Sequence, residues 1–164
     1  ASSLVSAYPI IGVDLHQEKL NLGKEFGLTH GIIFNKDNFK EKINEIIGEK
    51  GPEIVFETTG SSQIMEHAYD ITPNDSKTVF VGVPDKKISI YSLPLAFDKV
   101  LSVSHGGDSE PDKDIPRYIR LIQNKKLSLD KLITNEFSLD EINEAINLFR
   151  SGKAGRIILK ISKN

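Results

Sequence analysis

Asp14 closes the apolar run Ile10-Ile11-Gly12-Val13, and a carboxylate at the tip of such a strand can accept hydrogen bonds from both hydroxyls of an adenosine ribose. The same carboxylate can instead start the helix that follows, as an N-cap. A glycine-rich turn of the form G-x-G-x-x-G should precede a ribose-holding acid by about 20 residues, yet that pattern occurs nowhere in the sequence. Residues Ala1 to Ala7 read as the last turns of the helix that such a turn would open. The chain is therefore expected to begin partway into its own motif.

Other reactive residue types are sparse. There is no cysteine and no H-E-x-x-H, so neither thiolate nor zincin-type metal chemistry is available. His16, His30 and His67 lack helical partners at metal spacing and read as surface or capping residues, whereas His105 stands beside Gly106-Gly107 at a loop start. Glu57 falls in a run that should be buried, where neighbouring backbone donors would satisfy it. Ser151-Gly152-Lys153 hints at a phosphate loop, but Asn147 and Ala154 break the G-x-x-x-x-G-K-[ST] pattern, leaving a helix-ending turn. No residue is predicted to be catalytic and no metal site is expected.

Composition sets the outer limits. A chain of 164 residues with 38% hydrophobic and 27% charged residues can bury one ordinary core. A net charge of -2, with lysines spread among acids, gives no electrostatic footprint for nucleic acid. No apolar run approaches the ~20 residues that span a bilayer, and the start carries no signal-like pattern. A cytoplasmic protein acting on neither membrane nor nucleic acid is expected.

To place Asp14 at a strand tip, the chain must alternate strand and helix. Short β-branched or aromatic runs at Pro9 to Asp14, His30 to Asn35, Glu53 to Thr58 and Thr78 to Val83 predict strands. Between them, Leu15, Leu22 and Phe26 predict one helix face stopped by Gly27, and Phe39, Ile43, Ile46 and Ile47 a second, with Asn38 and Glu41 spaced as a capping box. Ser61 is placed to cap a third helix carrying Ile64, Met65 and Ala68. Right-handed crossovers would fold this order into one twisted parallel sheet covered on both faces. Further on come Ile88-Ser89-Ile90, a strand Val100 to Ser104, a helix with Ile115, Tyr118, Ile119 and Ile122 on one side, a capping box Ser138 to Glu141, and a final strand Arg156 to Ile161.

The ordered landmarks resemble the carboxy-terminal half of the zinc-containing medium-chain alcohol and polyol dehydrogenase family. They are Ile-Ile-Gly-Val-Asp at 10 to 14 with Lys19, Phe-Gly-Leu-Thr-His at 26 to 30, Phe-Glu-Thr-Thr-Gly at 56 to 60, Val-Gly-Val-Pro at 81 to 84, Gly106-Gly107, Leu-Ile-Thr at 132 to 134, and Arg-Ser-Gly-Lys at 150 to 153 before Arg156. The resemblance implies a Rossmann-type doubly wound α/β sheet, incomplete because its first strand and glycine loop are missing. It implies a truncated dinucleotide-binding domain over 1–135, followed by a helix and strand over 136–164 that return toward an absent catalytic domain. It implies NAD as cofactor, with zinc only in that missing domain, and hydride transfer to or from an alcohol or polyol by the complete protein.

Residue by residue, the resemblance assigns Asp14 and Lys19 to the adenosine ribose, and Thr58 and Thr59 to the adenine side. Gly82 and Val83 would present backbone groups to the nicotinamide, His105 would stand beside that half, and Arg156 would pair with the pyrophosphate, for which a guanidinium fork is suited. Without the zinc ligands or the glycine loop, this chain by itself is expected to lack dehydrogenase activity and to bind NAD weakly or not at all. An acid after the second strand is also how methyltransferases hold S-adenosylmethionine, and a non-catalytic nucleotide-binding module could use the same fold. The later half argues against methyl transfer, because those folds usually finish with an antiparallel hairpin.

In the usual strand order the missing strand is central, so its neighbours would expose unpaired backbone edges. Closure of the flanking strands, a filling segment or a second chain would each relieve that. A homo-oligomer is the favoured expectation, since Ile88-Ser89-Ile90 and Val100 to Ser104 resemble the edge by which the family dimerises.

Overall fold

Alternating short apolar runs and amphipathic stretches do become alternating strands and helices. In the computed structural model, which describes residues 1–161, the elements follow in order: β1 (Ile11–Asp14), α1 (Gln17–Lys24), β2 (His30–Ile33), α2 (Phe39–Ile47), β3 (Ile54–Glu57), α3 (Ser62–Ile71), β4 (Lys77–Phe80), β5 (Val100–Val103), α4 (Pro111–Gln123), β6 (Ile133–Ser138), α5 (Ile142–Arg150) and β7 (Arg156–Lys160). Every strand pairing is parallel. Single 3-10 turns fill several of the connections.

The chain divides into two compact units, one of Ala1–Phe39 with Asp112 onward, the other Lys40–Pro111. In the first unit β1 pairs with β2, Asp14 lying opposite Ile33, and β6 pairs with β7. In the second the order is β3-β4-β5, in register from Ile54 opposite Lys77 to Phe80 opposite Val103. The sequence order predicts one continuous sheet, whereas the ladders are interrupted. Among the described residues β1 has a partner only in β2 and β3 only in β4, so each leaves one edge unpaired.

The second unit has the clearer core. Met65, Tyr69 and Phe80 are buried together, with Ile88, Ile90 and Leu101 packed against them. Ile88 and Ile90 serve that cluster from an irregular segment, with no strand over Ile88-Ser89-Ile90, because Ser89 N donates to Glu66 Oε1 at 2.7 Å instead of to a ladder. The Tyr69 hydroxyl donates to Tyr91 O at 2.9 Å. Lys99 is buried with its Nζ donating to Tyr69 O at 2.7 Å and lying 3.8 Å from the centroid of the Tyr69 ring. Burial pushes the Lys99 ammonium below its ordinary pKa, and Asp70 opposes that shift. Thr78 and Thr72, also buried, satisfy each other and Ala68 O through hydroxyl bonds of 2.8 and 2.7 Å.

Local expectations fare unevenly. The capping box at Ser138 and Glu141 is present, with Ser138 N donating to Glu141 Oε2 at 2.8 Å. That at Asn38 and Glu41 is replaced: Asn35 O takes the N–H groups of Asn38 and Phe39, and Asn38 Oδ1 is buried without a partner among the described residues. In α1 the buried position is Leu20, and Leu15 is 69% exposed, because the helix starts only at Gln17. Ser61 occupies the N-cap position of α3 but makes no side-chain capping bond.

Much apolar surface stays uncovered. Ile115, Tyr118, Ile119 and Ile122 of α4 are exposed, as are Ile54 and Phe56 on β3 and Val100 and Val103 on β5. No helix of the described chain is long and apolar enough to cross a membrane.

Candidate functional site

Because every ladder is parallel, all strands of one sheet end at the same edge, and the loops leaving that edge form the usual ligand position in an open α/β sheet. Asp14 is the last residue of β1 and is half-buried. Its Oδ1 accepts from His16 N at 2.9 Å, an i to i+2 turn leading into α1, while the carboxylate keeps lone pairs for a second partner. The N-cap position of α1 is His16, without a side-chain capping bond, so Asp14 shapes the turn before the helix rather than capping it.

Within the same unit, α1 lies against the turn before β7. The Lys19 ammonium donates to Ala154 O. The imidazole of His16 stands so close to Gly152, at φ 72, that a methyl there would meet Nε2 at 2.9 Å. Arg156 opens β7 with an exposed side chain, opposite Ile133. Lys19 is thus held against the turn that precedes Arg156, committed to a backbone carbonyl.

In the second unit Thr58 and Thr59 leave β3, Gly82 and Val83 follow β4, and His105 follows β5. Val83 is 86% exposed, and Thr58 and His105 are also exposed. The Thr59 hydroxyl is already engaged, donating to Glu57 Oε1 and accepting from Ser61 N at 3.1 Å. Glu57 is only 3% exposed. It is satisfied as expected, by Thr59 N at 2.6 Å and Gly60 N at 3.3 Å, and it shapes the turn that presents Thr58 and Thr59.

Gly60 and Gly82 let the two loops cross at backbone contact. A methyl on Gly82 would fall 2.2 Å from Gly60 N, and one on Gly60 would fall 2.2 Å from Val83 O. Asp85, to which sequence reasoning gave no role, ties the crossing: its N–H donates to Gly60 O at 3.0 Å and its Oδ1 accepts from Ser62 N at 3.0 Å. The only sequence signal was an acid one residue beyond Val-Gly-Val-Pro.

A shallow depression of about 350 Å³ lies over Ile54, Phe56, Val79 and Val103 and reaches Ser104, Gly107 and Asp108 after β5, on either side of His105 in sequence, but includes none of the predicted site residues. Among the described residues no group of three or more His, Cys, Asp or Glu could hold a metal ion. The donor set does not fit a catalytic zinc.

Parallel strands whose carboxyl-end loops carry an acid, small residues and backbone donors define a nucleotide-binding α/β domain of Rossmann type. A profile described as zinc-binding dehydrogenase matches residues 3–124, and the chain belongs to that family. It is 36% identical over 167 residues to alcohol dehydrogenase-like 2 of Arabidopsis thaliana, covering 98% of this chain and 43% of that protein. It is 31% identical over 166 residues to an alcohol dehydrogenase of Malus domestica, again with 98% and 43% covered. Among solved structures, benzyl alcohol dehydrogenase from Acinetobacter calcoaceticus superposes with a TM-score of 0.88 at 30% identity, over 99% of this chain and 45% of that one. The chain thus spans less than half the length of the relatives it matches.

Proposed function

We propose that this chain is the NAD-binding portion of a zinc-type alcohol or polyol dehydrogenase, working in a cytoplasmic setting. The observation that carries the reading is Asp14: a half-buried carboxylate at the carboxyl end of a parallel strand, with one oxygen accepting from His16 N in the turn before α1 and the other without a bond among the described residues. That is the acceptor a ribose diol needs for its two hydroxyl donors. Asp14 also favours NAD over NADP, since a 2′-phosphate would meet a carboxylate.

When bound, NAD supplies the hydride acceptor or donor. The chain's own residues bind and orient it: Asp14 and Lys19 at the adenosine ribose, Thr58 and Thr59 at the adenine side, Gly82 and Val83 with His105 at the nicotinamide side, and Arg156 at the pyrophosphate. Lys19 would exchange its bond to Ala154 O for the sugar, a move its flexible stem allows. The segment over 136–164 would return toward a catalytic domain that binds zinc and the alcohol. Having no zinc-competent cluster among its described residues, this chain alone is expected to show no alcohol turnover. A rate assay with NAD, zinc and a panel of alcohols and polyols checks that, and robust rates would refute it.

Thermal shifts separate the cofactor reading from other nucleotide ligands. NADH at 100 times its dissociation constant should stabilise the chain by ~2.7 kcal/mol, and S-adenosylmethionine should leave it unchanged. Equal, negligible shifts with both would favour a structural, non-catalytic role for the chain. The exposed Val100 and Val103 on β5 further favour association of two copies. Sedimentation at high concentration checks it, a strictly monomeric profile being the contrary result.

A further inference from the structure

The crossing of the 58–62 and 81–85 loops depends on one exposed side chain. We propose that Asp85 is a positioning residue that holds the Gly82-Val83 backbone in place against the turn after β3, and so sets the nicotinamide end of the cofactor site; this rests on the NAD-binding reading above. The two loops are in backbone contact at Gly60 and Gly82, where neither has room for a side-chain carbon. Contact without attraction would not fix their register. Glu57 O supplies part of the attraction by accepting from Val81 N at 2.8 Å and Gly82 N at 3.1 Å, at the very end of the ladder. Beyond that point Asp85 ties the outgoing loop back: its N–H donates to Gly60 O and its carboxylate accepts from Ser62 N, each at 3.0 Å.

Ser62 is the first residue of α3, and the Ser61 side chain leaves its N–H groups uncapped. A carboxylate from another loop therefore does what the local N-cap residue does in most helices, and in doing so joins that loop to the helix. The Ser62 backbone N–H first, and its hydroxyl next, hold the Asp85 carboxyl below the usual carboxylate range, with Lys86 adding a smaller effect in the same direction. Three residues upstream of Asp85, Gly82 and then Val83 present the backbone assigned to the nicotinamide, and the other side chains of the 81–85 loop, Val81, Val83 and Pro84, have no polar group with which to bond the 58–62 turn.

A plain helix cap would be worth ~1 kcal/mol and would touch no ligand. The two roles part on ligand selectivity. NMR titrations of the chain with NADH and with AMP, which carries the adenosine ribose but no nicotinamide, should show that Asp85→Ala weakens NADH binding about tenfold while AMP affinity stays within about twofold. Amide exchange at Ser62 should accelerate in the same variant, with Phe80 and Val79 unaffected. Asp85→Asn should restore NADH affinity, since its side-chain oxygen still accepts from Ser62 N. Unchanged NADH affinity in Asp85→Ala, or equal loss for both ligands, would overturn the proposal. If the unsubstituted chain responds to neither ligand, the cofactor reading fails and this role fails with it. The Ser62 exchange rates still show in that case whether the clasp itself exists.

Discussion

Gly60→Ala is expected to destabilise the second unit by roughly 3 kcal/mol, combining a strained left-handed residue with an overpacked backbone crossing. Gly60 sits at φ 72, and an added methyl would lie 2.2 Å from Val83 O, a main-chain atom that cannot rotate aside. Relief would require the 81–84 segment to move outward, which breaks the bond from Asp85 N to Gly60 O and uncovers Glu57. Gly48→Ala is the internal control: its φ of 75 carries similar backbone strain, but nothing lies within 4 Å of the added carbon. Urea denaturation should therefore place Gly60→Ala well below Gly48→Ala. Equal midpoints would mean that the crossing is loose in solution.

Asp14→Asn should separate the two duties of that side chain. The amide keeps an oxygen for His16 N, so the start of α1 and the stability of the chain should hardly change. A ribose diol loses its charged acceptor, and hydrogen bonds to charged groups are worth about 1.5–3 kcal/mol. NADH affinity should fall by at least roughly tenfold. The discrimination against NADPH should shrink as well, because a 2′-phosphate no longer meets a negative charge. Titrations of both nucleotides against both proteins check this; an Asp14→Asn chain that binds NADH as the parent does would reduce Asp14 to shaping the turn before α1.

What was legible in the sequence follows the range of the interactions. The β1 to β5 runs are apolar and short, with helical stripes between them, and those periodicities are local properties that tertiary packing did not reverse. The box at Ser138 and Glu141 formed because both partners lie within one turn. The box at Asn38 did not, because Asn35 O, three residues earlier, takes the Asn38 N–H that the Glu41 side chain would have accepted. Longer-range features were hidden. Tyr69 and Lys99 lie 30 residues apart and nothing in either neighbourhood announces their bond. Asp85 caps a helix whose N-terminus lies 23 residues earlier, so the spacing rules for caps could not find it while Ser61 stood in the expected place.

The candidate site shows the same division. Asp14, Thr58 and Gly82 were readable at or near the ends of predicted strands and His105 at the start of a loop, and the parallel ladders put each at a carboxyl end. The approach of Lys19 to Ala154, across 135 residues of chain, was not. Nor was the interruption of the sheet, since periodicity reports which residues form strands and is silent on which edges find partners.

The account turns on whether this chain receives NAD at the strand ends. The most direct measurement is an NMR titration of the unsubstituted chain with NADH, reading which amides move. Saturable shifts centred on Asp14, Lys19, Thr58, Thr59, Gly82, Val83, His105 and Arg156, absent with S-adenosylmethionine, are the predicted result. Shifts confined to the Ile54, Phe56 and Val103 face, or the same footprint produced by S-adenosylmethionine, would contradict it.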